Sequence, residues 1–398
     1  MNPKDFTELA PGRLVPTIGG VQAFVPDPLP DNLDLRGKTV RLLAAAENAL
    51  GRLAGTTARE FNPFLVASPL LHREAILSSR IEGTVTTPEQ LVLLEAETDE
   101  PRRRGRPDGD TQEVLNYVRA MHRGLELLKS LPVSLRLIRE VHGVLLTGVR
   151  GERERPGEFR QSQSWIRGTL DDDISNARFV PPPPADMRKA LHDLESYLNR
   201  EQTPDRDPLL VQLALIHYQF EAIHPFRDGN GRIGRLLIPL LLVSHRRLDG
   251  PFLYLSAFFE RNRDRYMDLL LRVSQLGDWV SWIDFFLRGV YESAFEANEQ
   301  ALALLDLRQQ YHRRVQKGRS SALLIRLIDE LFQRPSITIS QAAALLDVTG
   351  PAAGNNVHRL VSEGILREVT GRKRNQVFVA DEILSFMYDV PTPRPAGP

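Results

Sequence analysis

Residues 224–235 read HPFRDGNGRIGR and pass directly into the apolar run LLIPLLLV at 236–243. This junction constrains the chain more than any other stretch. A segment that is apolar on every side is a buried helix, and glycines at its start let a ligand approach the backbone closely. Pro225 disfavours helical geometry at His224, so a preceding helix, with Leu213, Ile216, Phe220 and Ile223 on one face, must stop there. A second helix is predicted to begin within Gly-Asn-Gly-Arg, with a kink at Pro239.

The first turn of a helix exposes about four unpaired N–H groups and roughly half a positive charge, which makes it an anion site. Gly229, Asn230 and Gly231 read as a concave nest for phosphate, and Arg232 and Arg235 share one face of the new helix. Two forked cations point to a polyphosphate. Asp228 would be repelled by phosphate unless a cation lay between them, and a carboxylate beside nucleotide phosphates is a usual Mg²⁺ ligand. His224, with an ordinary pKa near 6.5, is mostly neutral at pH 7, as a general base must be. Neither a Walker A loop, which needs Gly-Lys-Ser/Thr, nor His-Glu-x-x-His occurs.

A second region carries a charge in an unfavourable place. The helix PFLVASPLLHREAILSSRIEG is expected to end at Gly83, leaving Glu82 in its last turn. A negative charge there opposes the helix dipole by roughly 0.3–1 kcal/mol, so a cation should meet it.

His224, Phe226, Asp228, Gly229, Asn230, Gly231, Arg232 and Arg235 match every fixed position of H-x-F-x-D/E-G-N-G-R-x-x-R, and the chain thereby resembles the Fic family. The resemblance extends through PGEFRQSQSWIRGT and ARFVPPPP upstream and YLSAFFERNRDRY downstream, roughly residues 40–290. It implies a protein adenylyltransferase that moves AMP from Mg-ATP to Ser, Thr or Tyr hydroxyls of target proteins and of itself. His224 would be the base and Asp228 the Mg²⁺ ligand. ATP would contact the stretch Gly229, Asn230, Gly231, Arg232, Ile233, Gly234 and Arg235, with Arg232 on the pyrophosphate, Arg235 on the γ-phosphate and Phe226 fixing the loop. Tyr254 and Asn262 would lie near the adenosine. Ser78, Glu82 and Gly83 resemble the family's inhibitory S/T-x-x-x-E-G/N motif, in which Glu82 would pair with Arg235. The segment 163–180 corresponds to a β-hairpin flap where an extended target could add as a strand. Three adjacent carboxylates, Asp171 to Asp173, read as a solvated turn, outside the site.

Two other readings remain. The same site could remove AMP or transfer another phosphate-bearing group, or the chain could be a nucleotide-sensing DNA-binding regulator. An intact His224 argues against the second, because sensing needs no base.

The expected fold is all-α: a helical Fic core with a small hairpin flap, followed by a winged helix-turn-helix. The divisions are an N-terminal arm and inhibitory helical region at 1–105, the core at 106–298, a linker helix at 299–318, the winged module at 319–385 and a disordered tail at 386–398. Residues 311–375 hold eleven Lys or Arg against five Asp or Glu, with Arg372, Lys373 and Arg374 at the wing tip. The presumed recognition helix carries only Arg359, so protein docking or a homodimer contact is favoured there over DNA. Lys plus Arg and Asp plus Glu both total 51, which excludes a global field towards nucleic acid or anionic membrane. The absence of cysteine excludes disulfides and thiolate chemistry. With no apolar leader and no run approaching about 20 residues, the expected location is the cytoplasm, with no membrane partner.

Overall fold

The computed structural model describes residues 1–58, 64–98, 109–167, 173–203, 206–316 and 321–388, and these are mostly helical. The N-terminal arm forms a hairpin of β1 (Gly12–Pro16) and β2 (Gln22–Pro26), antiparallel from Gly12 opposite Pro26 to Pro16 opposite Gln22. The arm is tied down along its length. Thr7 N–H donates to the Gln275 carbonyl at 2.9 Å and Phe24 N–H to that of Val180 at 2.9 Å.

Five helices follow: α1 (Lys38–Thr57), α2 (Phe64–Ile81), α3 (Pro88–Thr98), α4 (Gly109–Leu127) and α5 (Leu135–Leu145). Ser134 caps α5 by accepting from Leu137 N–H. Next come α6 (Pro184–Leu198), α7 (Leu209–Ile223), α8 (Asn230–Ser244), α9 (Ser256–Arg261), α10 (Arg263–Leu276) and the long α11 (Trp279–Val315). Every residue of α8 from 232 to 242 is buried, and the helix continues through Pro239. It packs between α7, α4, α5 and α2, while α1 lies along α11. The predicted single apolar face of α7 is too narrow a description, because all residues from 210 to 220 are buried. With neighbours on all sides, even Gln212, His217 and Gln219 lie inside.

Among the described residues the predicted flap hairpin carries an antiparallel bridge, Ile166 with Phe179; residues 168–172, including Asp171 and Asp172, lie outside the described residues. Asp173 caps its own turn, its Oδ1 accepting from Ser175 N–H at 2.8 Å.

At the C-terminus, α12 (Ser321–Gln333), α13 (Ile339–Leu346) and α14 (Gly350–Ser362) pack with a three-stranded antiparallel sheet. Its strands are β3 (Ser336–Thr338), β4 (Arg367–Glu368) and β5 (Val377–Val379), in the order β3-β5-β4, before a short α15 (Asp381–Leu384). The expected boundary at 298 falls inside α11, whose buried residues Ala301, Leu304, Leu307 and Tyr311 carry the main core into this module. The module also docks on α3, where Val92 and Ala96 bury against Val377, Val379, Leu384 and Met387. Arg372, between β4 and β5, pairs with Glu97 at 3.1 Å, and Arg367 with Glu89 at 3.3 Å. Met387 is buried in a final 3-10 turn, so the chain is packed beyond the expected start of the tail at 386, and residues 389–398 lie outside the described residues. Among the described residues no helix is long and apolar enough to cross a membrane.

Candidate active site

α7 ends where Pro225 demands, and His224 takes a left-handed conformation at φ 49° and ψ 62°. A non-glycine residue there costs on the order of 1–3 kcal/mol and must be held by its surroundings. His224 N–H donates to the Phe220 carbonyl at 3.0 Å. The His224 carbonyl accepts from Arg160 Nε at 2.9 Å.

The loop after it is fastened from within. Phe226 is fully buried and stacks on His142, with ring centroids 3.7 Å apart and an interplanar angle of 6°. His142 Nδ1 accepts from Gly157 N–H at 2.8 Å, so Nε2 is the protonated nitrogen and donates to the Asp228 carbonyl at 3.0 Å. Burial pushes the His142 imidazole down to about 4. Asn230 Oδ1 accepts from Phe226 N–H at 2.8 Å, and its Nδ2 donates to the Phe226 carbonyl at 2.9 Å. Gly229, at φ 78°, turns the chain into α8.

A cavity of about 290 Å³ opens over this start. Its polar wall includes His224, Gly231, Arg235, Glu82 and Glu221, and its apolar wall comes from the flap residues Ile166 and Phe179 and from Met267, Leu270 and Leu271 of α10. Arg235 Nη2 donates to Glu82 Oε1 at 2.8 Å and to the Ser78 carbonyl at 2.9 Å, while Nε donates to Ser78 Oγ at 2.9 Å. α2 delivers these acceptors through its C-terminal geometry. Gly83, at φ 91°, lets Thr84 N–H reach the Ser79 carbonyl and Gly83 N–H the Arg80 carbonyl, which closes the helix and turns Glu82 towards α8. A Cβ on Gly231 would stand 2.3 Å from Glu82 Oε1, so this carboxylate lies against the opening turn of α8. Burial would raise the Glu82 carboxyl, but Arg235, with Arg232, holds it below the ordinary value.

The same surroundings keep His224 neutral. Burial first, then the Arg160 guanidinium, lower the imidazole to about 4 against the opposing pull of Glu82 and Asp228. Glu221, one turn before it, is pushed up to about 7 by burial and by Glu82, with Arg235 opposing.

Several expected ligand contacts are placed elsewhere. The Asn230 side chain closes the loop on the Phe226 backbone, engaging Oδ1 and one hydrogen of Nδ2. Arg232 is 1 % exposed and turned from the cavity, because Nη1 donates to Glu113 Oε2 at 3.0 Å and Nη2 to Asp228 Oδ1 at 3.4 Å. Ile233 is a core residue, and Gly234 clears space for Glu221, whose Oε1 would be 2.3 Å from a Cβ there. Tyr254 lines a separate small recess with Glu74 and Glu296. Asn262 Nδ2 donates to the Phe258 carbonyl at 2.8 Å, closing α9 where α10 begins. Neither Tyr254 nor Asn262 lines the His224 cavity. Asp228 Oδ1 accepts from Gly229 N–H at 2.6 Å, and Oδ2 lies against Gly151.

Four residues escaped sequence reasoning: Arg160, His142, Glu221 and Tyr266, whose hydroxyl lies 2.8 Å from His217 Nε2 beneath the cavity. Arg160, between Phe159 and Gln161 in a segment rich in charge, shows no local sign of burial. Glu221 had one usable signal, being the lone carboxylate of α7, one turn ahead of His224.

Residues 40–126 match the family model for the Fic/DOC family N-terminal region, and residues 132–242 match that of the Fic/DOC family. The chain is 31% identical over 207 residues to a probable protein adenylyltransferase of Aquifex aeolicus, which covers 50% of this chain and 54% of that protein. It is 34% identical over 140 residues to the protein adenylyltransferase Fic of Drosophila grimshawi, covering 35% of this chain and 26% of that one. The chain thus spans about half of one curated relative and a quarter of the other. A crystal structure of a Fic family protein from Desulfovibrio desulfuricans superposes with a TM-score of 0.55 at 21% identity, covering 88% of this chain and 98% of that one, a likeness of fold. Domain matches, relatives and fold agree, and the chain belongs to the Fic/DOC family.

Proposed function

We propose that this protein transfers AMP from Mg-ATP to a hydroxyl of a target protein and of itself. The observation that carries the reading is that the neutral His224 imidazole and the Arg235 guanidinium share one cavity with the opening turn of α8. The imidazole takes the proton as the hydroxyl oxygen attacks the α-phosphorus. The bond from that phosphorus to the oxygen bridging to the β-phosphate breaks, and pyrophosphate leaves with the electron pair. Amides of α8 stabilise charge on the phosphate oxygens, Arg235 receives the γ-phosphate, and the apolar wall accommodates the base.

Among the described residues no group of three His, Asp or Glu is placed to hold a metal. Mg²⁺ is commonly held by one or two carboxylates plus substrate phosphates, and Asp228, in the loop just before α8, is the carboxylate that would hold it. When bound, the cation would neutralise charge on the α- and β-phosphates. The flap edge at Val180 is taken by β2, so a target strand adds on the side of residues 164–167.

In this state Glu82 holds Arg235 and restrains the reaction. Parallel incubation with α-labelled and γ-labelled ATP tests the reading in wild type, Glu82→Gly and the Glu82→Gly, His224→Ala double variant. Retention of the α label alone by Glu82→Gly, lost in the double variant, is expected; retention of the γ label, or of neither, overturns it.

A further inference from the structure

Arg160 is 2 % exposed, and among the described residues none of its hydrogen bonds goes to a carboxylate. Its acceptors are four backbone carbonyls. Nε donates to His224 at 2.9 Å, Nη1 to Ser162 at 3.2 Å, and Nη2 to Pro182 at 2.5 Å and to Ile223 at 3.4 Å. Its own N–H donates to the Pro225 carbonyl at 2.9 Å. A buried guanidinium without a counter-ion is costly, and here burial lowers its own pKa to about 10. Simple packing at this position would be served better by an apolar side chain.

The carbonyls it gathers belong to the two sides of the cavity. Ile223 and His224 form the end of α7, where the chain takes its left-handed turn, and Ser162 and Pro182 lie at the two bases of the flap. We propose that Arg160 is a positioning residue for adenylyl transfer, a rigid fork that locks the His224 turn and the flap into one frame and so presents the imidazole to the bound nucleotide and target. This rests on the function proposed above. The guanidinium has a second effect through space, because its charge beside His224 disfavours a second positive charge on the imidazole. The other ionisable groups facing His224 or lining its cavity are Glu82 from α2, Glu221 from α7, Asp228 from the loop, Arg235 from α8, Arg167 and Arg178 from the flap, and Arg263 and Tyr266 from α10.

The test uses the full chain in a Glu82→Gly background, with Arg160→Gln and Arg160→Lys. Arg160→Gln removes the charge and most of the fork, and Arg160→Lys keeps the charge and loses the fork. Turnover in self-labelling should fall on the order of 10²-fold in both, as for a misplaced catalytic group, with KM for Mg-ATP within about threefold. NMR titration of labelled histidine between pH 4.5 and 8, with His224 assigned by its loss in His224→Ala, gives a readout independent of activity. His224 should be mostly unprotonated throughout, with no midpoint inside the range, with Arg160 or Arg160→Lys, and should show a midpoint inside the range in Arg160→Gln. Absence of labelling in Glu82→Gly itself defeats the functional reading, not this inference, which the titration still decides. Unchanged turnover in Arg160→Lys, or a His224 titration identical in Arg160→Gln, overturns it. If Arg160→Gln does not fold, Arg160→Lys decides it through turnover: a fall with KM maintained supports the fork, and an unchanged rate rejects it.

Discussion

Glu82 and Arg235 are 153 residues apart in sequence and 2.8 Å apart in space, and the guanidinium that closes the contact is 1 % exposed. Ser78 holds the same guanidinium through its hydroxyl and its carbonyl, so Arg235 is fixed whether or not Glu82 stays. Removing the carboxylate therefore opens the anion site without losing its cation. A charge-assisted contact of about 1.5–3 kcal/mol corresponds to roughly one to two decades. Glu82→Gly is expected to raise the initial rate of self-labelling by roughly 10- to 100-fold at saturating Mg-ATP, measured as α-label incorporated per minute.

His224 contributes little to the walls that would grip a nucleotide, because Arg235, the α8 turn and the apolar side of the cavity remain without it. In the Glu82→Gly background, His224→Ala should lower incorporation by on the order of 10²–10⁴-fold, the range of a general base. Calorimetric affinity for Mg-ATP should change only a few-fold. A parallel loss of affinity would assign His224 to binding instead.

The fold was legible wherever local chemistry decides it. Pro225 ending α7, Ser134 capping α5 and Gly83 closing α2 are all set by backbone sterics or a single hydrogen bond. The directions of Arg232 and Arg235 were not legible. Three residues apart on one helix, they read as a pair, but Glu113 of α4 draws one inward and Ser78 of α2 draws the other to the cavity. The loop closure by Asn230 was not legible either, because an amide beside a phosphate nest and an amide that closes a loop on itself look the same in sequence. The α11 boundary was missed because the helix keeps an apolar stripe from Trp282 to Val315, with no glycine or proline after Gly289 to mark a change of neighbour.

Asn230 satisfies both backbone groups of Phe226, which is itself completely buried. Asn230→Ala leaves an N–H and a carbonyl without partners away from water, at about 1–3 kcal/mol. The variant should unfold at lower urea with an unchanged m-value. Its loss of labelling should exceed its loss of stability at the assay temperature, since the loop it releases joins His224 to α8. An equal midpoint for the variant would show that the loop needs no staple.

Glu221 has a pH signature of its own. In the folded chain its carboxyl is pushed up to about 7, whereas an unfolded glutamate titrates near 4.5. Between those values the folded state binds more protons than the unfolded one, so this group's contribution to stability falls as pH rises from 4.5 to 7. Glu74, also near 7, acts in the same sense, while the buried His142, His217 and His224, lowered to about 4, 3 and 4, act in the opposite one. Whole-protein melting therefore hides the effect, and the difference between two chains exposes it. Relative to wild type, Glu221→Gln should gain thermal stability progressively from pH 4.5 to 7 and level off above, because it keeps a polar group of similar size beside Gly234 and cannot ionise. A constant difference in Tm across that range would show that the carboxyl is already ionised in the folded cavity.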